Sequence, residues 1–440
     1  MDVAQAAAGY ITKMITAGDT PSASSSSSAK MKILLLDRAT VCIVSTAVTQ
    51  SLLLNHEVYL IERLDSATRE KMRHLRCICL VRPSSESIQL LVEELREPKY
   101  GEYHVFFTNT VKKSALERLA EADDHEVVKL VQEHFVDFIV VNPDLFSLGF
   151  TTGGGGIGRG EGGGTFNRSS TTTTTTTADT DTSPDHIWDR SPTRWHTDGL
   201  VRCTDGVVAV LLALKKQPVI RYQRSSVLAN KLATEIKHRI TSSPEAQQLF
   251  DFRKPDTPPI LLILDRRDDP ITPLLTQWTY QAMVHHTLGI HNGRVDLSSV
   301  PDVRPELKEV VLSADQDPFF KRTMYLNFGE LGGNIKEYVE QYQSKTKNNA
   351  NIESINYMKR FIEEYPEFRK LSGNVSKHVA LVSELSRRVG VDNLLEVSEL
   401  EQSLACNDNH SKDVSVSNVL FCCCCCEGEG EGEGDNHDPP

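Results

Sequence analysis
Along the first 150 residues, short runs of apolar side chains alternate with stretches in which apolar positions recur every three or four residues. The runs fall at 33–36, 58–61, 77–81, 105–107 and 138–141. Runs this short read as buried strands, and the 3.6-residue periodicity between them reads as helix, so the alternation predicts a parallel sheet wrapped by helices. One helix is expected to start at Ser114, where Glu117 completes the Ser-x-x-Glu pattern of a capping box and Leu116, Leu119 and Ala120 share one face. A second is expected directly after it, because Val127, Leu130, Val131, His134 and Phe135 repeat at helical intervals. Its apolar stripe would pack on the sheet or line a groove. Ahead of the first strand, residues 1–20 read as a short amphipathic helix and the serines at 24–28 as a flexible break.

Past residue 150 the pattern changes twice. Residues 151–183 carry GGGGIGRGEGGG and then seven consecutive threonines. Such a stretch has no apolar surface to bury and is expected to be disordered. Order is expected to resume with a helix over 206–215, a strand at 219–222, a helix from Ser225 that aligns Leu228, Leu232 and Ile236, and a very apolar strand at 260–264. After Pro270 helical patterns dominate, at 278–288, 331–342, 354–365 and 376–389. The last sets Val379, Val382, Leu385 and Val389 on one face, with Gly390 as its stop. The expected fold class is therefore α/β. A helix and Ser-rich segment (1–30) precede a parallel-sheet domain (31–142), followed by a linker with the Gly/Thr insertion (143–204). An incomplete second α/β domain (205–275) and the first part of a mainly helical third domain (276–412) come next. Residues 413–440 include a Gly-Glu alternation that cannot form a core.

Charge narrows the functional classes. The 48 Lys and Arg against 60 Asp and Glu give a net charge of −12, so no nucleic-acid partner is expected. The amino terminus lacks a basic segment leading into an apolar one, and no stretch reaches the length of a membrane span, so the chain is expected to be neither secreted nor membrane-spanning. Five of its ten cysteines stand at 422–426; Cys42, Cys77, Cys79, Cys203 and Cys406 form no CxxC pair, which fits reduced cytosolic thiols.

Motifs for chemistry are weak. Gly158, Gly160 and Gly163 match GxGxxG, but in polyglycine, without the strand before and helix after that the motif requires. The predicted strands end instead in Asp37-Arg-Ala-Thr and Glu62-Arg-Leu-Asp, turns without the glycines that let backbone approach a phosphate. Neither GxxxxGK[ST] nor GxSxG occurs, and no cofactor is expected. Asp265, Asp268 and Asp269 close the 260–264 strand, where α/β enzymes hold metals or catalyse. Interleaved with Arg266 and Arg267, they read better as neutralising ion pairs. His285, His286 and His291 cannot share one helical face, so no metal site is expected.

Longer strings are more specific. ITKMI, KILLLDRAT, ELREPKY, LAEADDHEVVKLVQEHF, VNPDLFSL, PPILLILDRRDDPITPLL, PELKEVVLSADQDPF, MYLNFGELGGNIK, SGNVSKHVALVSELSR and NLLEVSELEQSLAC stand in order along the chain. Over most of residues 8–150 and 205–412 it resembles the SM (Sec/Munc-like) family, and within it the vacuolar-protein-sorting branch that serves endosomes and the trans-Golgi network. The resemblance implies a three-domain arch that binds a syntaxin-type SNARE protein and SNARE complexes without covalent chemistry, its helical hairpin facing SNARE helices. It implies a pocket for the SNARE's N-terminal peptide between the two helices expected around 114–120 and 127–135, at Val111, Leu116, Val131 and Glu133, and a central-cavity contact at Asp37. It also implies a cytoplasmic protein held to Golgi and endosomal membranes indirectly, through SNAREs. On the third-domain side Trp278, Tyr280 and residues 325–329 match by string. An apolar pair beside a carboxylate suits a peptide with one hydrophobic anchor and basic flanks. The residues by themselves leave it open that Leu116 and Val131 face the core.

Two departures from the family stand out. The Gly/Thr stretch replaces a shorter connection, and a longer surface loop there costs little free energy. The family's chain also continues past residue 412, with strands that complete the second sheet. Here the cysteine run and Gly-Glu repeats stand instead, the pattern of translated non-coding DNA in a truncated gene model or an alternative transcript, with a palmitoylated cysteine cluster as the functional rival. A chain ending there is expected to bare apolar edges near 260–264 and to aggregate or depend on chaperones. Two rival functions accompany the SNARE reading: a metal-dependent enzyme using Asp265, Asp268 and Asp269, and a truncated remnant without function.

Overall fold
The computed structural model describes residues 2–19, 31–150, 193–253, 255–301, 303–350 and 355–406. The serines at 24–28, the glycines and threonines of 151–183, the cysteine run and the Gly-Glu repeats lie outside the described residues. The chain divides into two compact units, Met1–Asp265 and Arg266–Pro440.

The first unit opens with α1 (Val3–Thr16), whose N-cap Asp2 accepts the Gln5 N–H at 2.8 Å. Then come β1 (Lys32–Leu36), α2 (Arg38–Ala47), α3 (Gln50–Asn55), β2 (Val58–Arg63), β3 (Met72–Val81), α4 (Ser85–Arg96), β4 (Tyr100–Phe107), α5 (Lys113–Ala122) and β5 (Val128–Glu133). The five strands form one sheet in the order β2-β1-β3-β4-β5, with every pairing parallel. Ile33, Leu35, Cys77, Cys79, Tyr103 and Phe107 pack beneath α4 and α5. Leu34, Leu36, Ile78, Leu80 and Phe106 pack against Ile11, Met14 and Ile15 of α1. Burial on both faces is why β1, β3 and β4 read as apolar runs, whereas β2, at an end of the sheet, leaves Tyr59, Leu60 and Ile61 exposed.

The fifth strand departs from expectation. Residues 127–135, expected to be helical, contain β5. Lys129 is an extra residue in the ladder, since Tyr103 pairs with Val128 and His104 with Leu130. That bulge breaks the two-residue alternation and imitates helical spacing. The free edge of β4 and three valines, which suit extended backbone, decide for the strand. The run at 138–141 instead forms β6 (Ile139–Asn142), antiparallel to β7 (Leu145–Ser147) and outside the five-stranded sheet. The capping box at Ser114 does not form either. Helix α5 begins one residue earlier, with Lys112 as an N-cap that makes no side-chain bond, so Ser114 lies inside the first turn.

The first unit continues with α6 (Thr197–Ala213), β8 (Val219–Tyr222), α7 (Val227–Thr241), α8 (Pro244–Leu249) and β9 (Ile260–Ile263). Strands β8 and β9 pair in parallel as a two-stranded sheet. Leu261 and Ile263 pack against the core of α6 and α7, whereas Ile260, Leu262 and Leu264 are more than half exposed.

The second unit contains α9 (Tyr280–Thr287), the antiparallel pair β10 (Arg294–Asp296) and β11 (Glu309–Val311), α10 (Pro318–Thr323), α11 (Phe328–Ala350), α12 (Ile355–Val391) and α13 (Leu394–Cys406). The helices expected separately at 354–365 and 376–389 are one continuous α12. It also runs through Gly390. The chain turns instead at Asn393, which takes φ +49°, because asparagine as well as glycine tolerates the left-handed region.

Candidate functional site
Strand β5 is an end strand of its sheet, and among the described residues nothing pairs with its outer side. Val131 lies opposite Val105 and Glu133 opposite Phe107. Residues paired across a sheet share a face, and Val105 and Phe107 belong to the core beneath α4 and α5. The bulge at Lys129 thus turns Val131 and Glu133 toward the α5 side. Val131 is 47% exposed and Leu116, on α5, is 39% exposed, while half-buried Val111 packs against the same core. Glu133 Oε1 accepts the Val111 N–H at 2.7 Å, which ties the segment leading into α5 to the end of β5. The structure therefore joins Val111 to Glu133 directly and leaves Leu116 and Val131 as unburied apolar side chains rather than core. These four residues therefore stand on or beside a helix and an edge strand, not between two helices as expected. Glu117, Glu121, Asp124 and Glu126 are exposed carboxylates on α5 and the turn after it, interspersed with exposed Lys112, Lys113, Arg118 and Lys129, and Lys113 Nζ pairs with Glu117 at 3.7 Å.

Asp37 is placed differently. It is buried as the N-cap of α2, in a capping box with Thr40. Its Oδ1 accepts the Thr40 N–H at 2.8 Å; its Oδ2 accepts the Arg82 N–H and the Ser87 hydroxyl, each at 2.7 Å. Arg82 Nε reaches buried Asp137 at 2.9 Å, and Arg202 Nη1 reaches the same carboxylate at 3.2 Å. The carboxyl ends of β1 and β3, where sheets of this type hold phosphates, thus carry a carboxylate already engaged by hydrogen-bond donors and, beside it, the Arg82–Asp137–Arg202 ion pairs.

In the second unit a cleft of about 680 Å³ opens between residues 300–307 and helices α11 and α12. Val300, Val303, Leu307, Val339, Tyr342 and Val379 give it an apolar lining. Nothing in the sequence singled out this cleft, because its walls come from three separated segments. The strings around Trp278 and 325–329 are brought together: Tyr280 N–H donates to the Leu326 carbonyl at 3.0 Å and Phe328 N–H to that of Trp278 at 2.8 Å.

Asp265 accepts the Ser226 hydroxyl at 2.6 Å, and Asp269 accepts the Thr272 N–H at 3.1 Å. Among the described residues no group of three or more His, Cys, Asp or Glu side chains is arranged to hold a metal ion, and the carboxylates at 265, 268 and 269 and the histidines at 285, 286 and 291 make none. No helix among the described residues is long and apolar enough to cross a membrane.

The Sec1 family model matches residues 32–422. The chain is 49% identical over 393 residues to the vacuolar protein sorting-associated protein 45 of Schizosaccharomyces pombe, covering 89% of this chain and 64% of that protein. To the Homo sapiens protein of the same name it is 48% identical over 412 residues, covering 93% and 64%. It thus spans just under two thirds of the length of these curated relatives. Among solved structures it is similar to the SM protein Vps45 in complex with the Qa SNARE Tlg2, with 62% identity, a TM-score of 0.81, and coverage of 96% of this chain and 67% of that one. A family model over most of its length, with relatives close to half identical, shows that the chain belongs to the Sec1 family.

Proposed function
We propose that the chain binds a syntaxin-type SNARE and guides SNARE assembly during vesicle docking and fusion, acting through binding free energy rather than covalent chemistry. The observation that carries this reading is the end strand β5, where unburied Val131 shares a face with Glu133 and Glu133 holds the segment leading into α5, the helix that carries unburied Leu116. A peptide with one apolar anchor and basic flanks fits such a notch. The likeness to a Vps45 structure holding a Qa SNARE supports the same partner class. The apolar cleft beside α11 and α12 suits one face of a SNARE helix. Asp37 serves the site as an internal brace that holds the Arg82 and Ser87 end of β3 and α4. Such a protein works in the cytoplasm, held to Golgi and endosomal membranes through its SNARE.

The test is titration of the full chain with a fluorescent peptide from a syntaxin N-terminus, read by anisotropy. Full burial of a leucine is worth ~1.5–3 kcal/mol, so covering the exposed part of Leu116 contributes ~1 kcal/mol. Leu116→Arg removes that and sets a cation beside basic flanks, so affinity is expected to fall about tenfold or more. Equal binding by wild type and variant removes the notch as the site.

A further inference from the structure
Behind the cleft-lining face of α12 lies a buried polar group that neither proposed binding surface uses. Asp317 is the N-cap of α10, and its Oδ1 accepts the N–H groups of Phe319 and Phe320, both at 3.1 Å. Its Oδ2 accepts His378 Nε2–H at 2.7 Å and faces the Lys377 ammonium at 2.6 Å. Lys377 Nζ also donates to the carbonyl of Val311, on β11, at 3.1 Å. Across the imidazole, His378 Nδ1 lies 2.8 Å from the Tyr280 hydroxyl of α9. One carboxylate therefore ties α10 to α12, and its two cationic or imidazole partners extend the tie to β11 and α9.

The protonation state follows from the partners. A carboxylate only accepts, so Nε2 carries the proton, and in a neutral ring Nδ1 accepts from Tyr280. Burial among the rings of Tyr280, Phe319 and Phe320 pushes the imidazole below its ordinary pKa. Burial alone would raise the Asp317 carboxyl, but hydrogen bonds from His378 and Lys377 hold it well below the usual carboxylate range. Lys377 balances the charge of Asp317, and every strong donor in the group has an acceptor.

The placement of this group on the helix is informative. At about 100° per residue, Val379, Ala380, Ser383 and Arg387 fall within about 60° of Ser376. All five line the cleft. Lys377, His378, Leu381 and Leu385 occupy the opposite sector, about 100° to 200° from Ser376, and all four are buried. Leucines give burial without direction, so Leu381 and Leu385 tolerate a modest rotation. Hydrogen bonds to fixed partners on two other helices do not, and a slip of one residue would carry His378 about 100° away from both Asp317 and Tyr280.

We infer that Asp317, Lys377 and His378 form a positioning clamp that sets the rotation of α12, and with it the side chains presented in the cleft to a SNARE helix. The inference rests on the proposed helix binding and extends it. The clamp residues touch no partner; they act through Ser376, Val379, Ala380 and Ser383. In some proteins a single buried polar group sets helix register at a cost in stability, and this group has the geometry for that role.

The experiment uses the full chain with His378→Leu, the conservative His378→Gln, which keeps a donor for Asp317, and Lys377→Met. Three readouts are compared: affinity for a synthetic SNARE-motif helix, affinity for the syntaxin N-terminal peptide, and amide exchange over residues 371–391 without ligand. His378→Leu is expected to weaken helix binding about three- to thirtyfold, the range for residues that act on a site without touching its ligand. Peptide binding should be unchanged, exchange over 371–391 faster, and His378→Gln should recover most of the loss. A folded His378→Leu chain with wild-type helix affinity and wild-type exchange overturns the clamp. If His378→Leu does not fold, the same comparison is made with Lys377→Met, and unaltered affinity and exchange there overturn it equally. A wild-type chain that binds neither the helix nor the peptide fails the SNARE reading itself. In that case faster exchange in the variant still supports the clamp, and unchanged exchange still overturns it.

Discussion

Replacing Gly101 with alanine is a direct test of how β3 and β4 fit together. Gly101 follows Tyr100 in β4, where the ladder with β3 slips between Met72 and Arg76. A Cβ at this position would lie 2.0 Å from the Arg73 carbonyl oxygen and 3.1 Å from its carbonyl carbon. Carbon–oxygen contacts across a sheet are normally about 3.3 Å or longer, so the strands would have to part by more than ~1 Å. The obstacle is backbone and cannot rotate away. The backbone of Gly101 is not in the left-handed region, so alanine brings no other strain and the substitution isolates this contact. A nearby bond resists the parting: Met72 N–H, on β3, donates to the Lys99 carbonyl at 2.7 Å. Overpacking of ~1–3 kcal/mol, with one weakened hydrogen bond of ~1 kcal/mol, gives ~2–4 kcal/mol in all. At ~2–4 °C per kcal/mol for a unit of this size, the transition of the first unit should fall by ~5–15 °C. Differential scanning calorimetry measures the shift, and amide exchange confined to β3 and β4 assigns it. A Gly101→Ala chain that melts with wild type would show that the Arg73 carbonyl moves freely and that the tight approach is not a constraint.

Two further outcomes follow from the first unit. Asp37→Ala leaves the Thr40 and Arg82 N–H groups and the Ser87 hydroxyl without their acceptor, so the chain should lose ~3 kcal/mol or more, with Asp37→Asn milder because the helix cap survives. Thermal unfolding checks this, and unchanged stability of Asp37→Ala would count against the brace. His134 lies beneath α1 against the rings of Tyr10 and Phe106, and burial holds its pKa below the ordinary value, outweighing a backbone hydrogen bond at Tyr10 that acts to raise it. The folded chain therefore keeps a neutral imidazole that the unfolded chain protonates near pH ~6.5. Its stabilising contribution is complete above that value and is lost progressively as pH falls toward the lower folded pKa. His134→Phe, which suits the aromatic surroundings, should flatten the decline in melting temperature between pH 7.5 and 5.5, and an unaltered slope would refute the assignment.

Local pattern by itself located much of this protein: β1 to β4, β8, β9, α1, α7 and α9 all fall at the apolar runs and helical spacings that announced them, with β3 and β4 each starting five residues earlier, and for β1, β3 and β4 burial of both faces supplies the run. The ordered strings pointed to the family, and through it to Val111, Leu116, Val131 and Glu133. Tertiary structure alone decided the rest. Residues 127–135 hold a strand because the edge of β4 offers hydrogen bonds and a bulge at Lys129 absorbs the mismatched spacing, neither of which is visible locally. That same bulge turns Val131 and Glu133 to the side of α5, so the geometry of the notch was beyond reach of any short-range rule. The Asp317 clamp was equally hidden. Its contacts join residues 61 and 98 positions apart, and only the packed fold brings such groups within hydrogen-bond distance while withholding the water that would otherwise satisfy them.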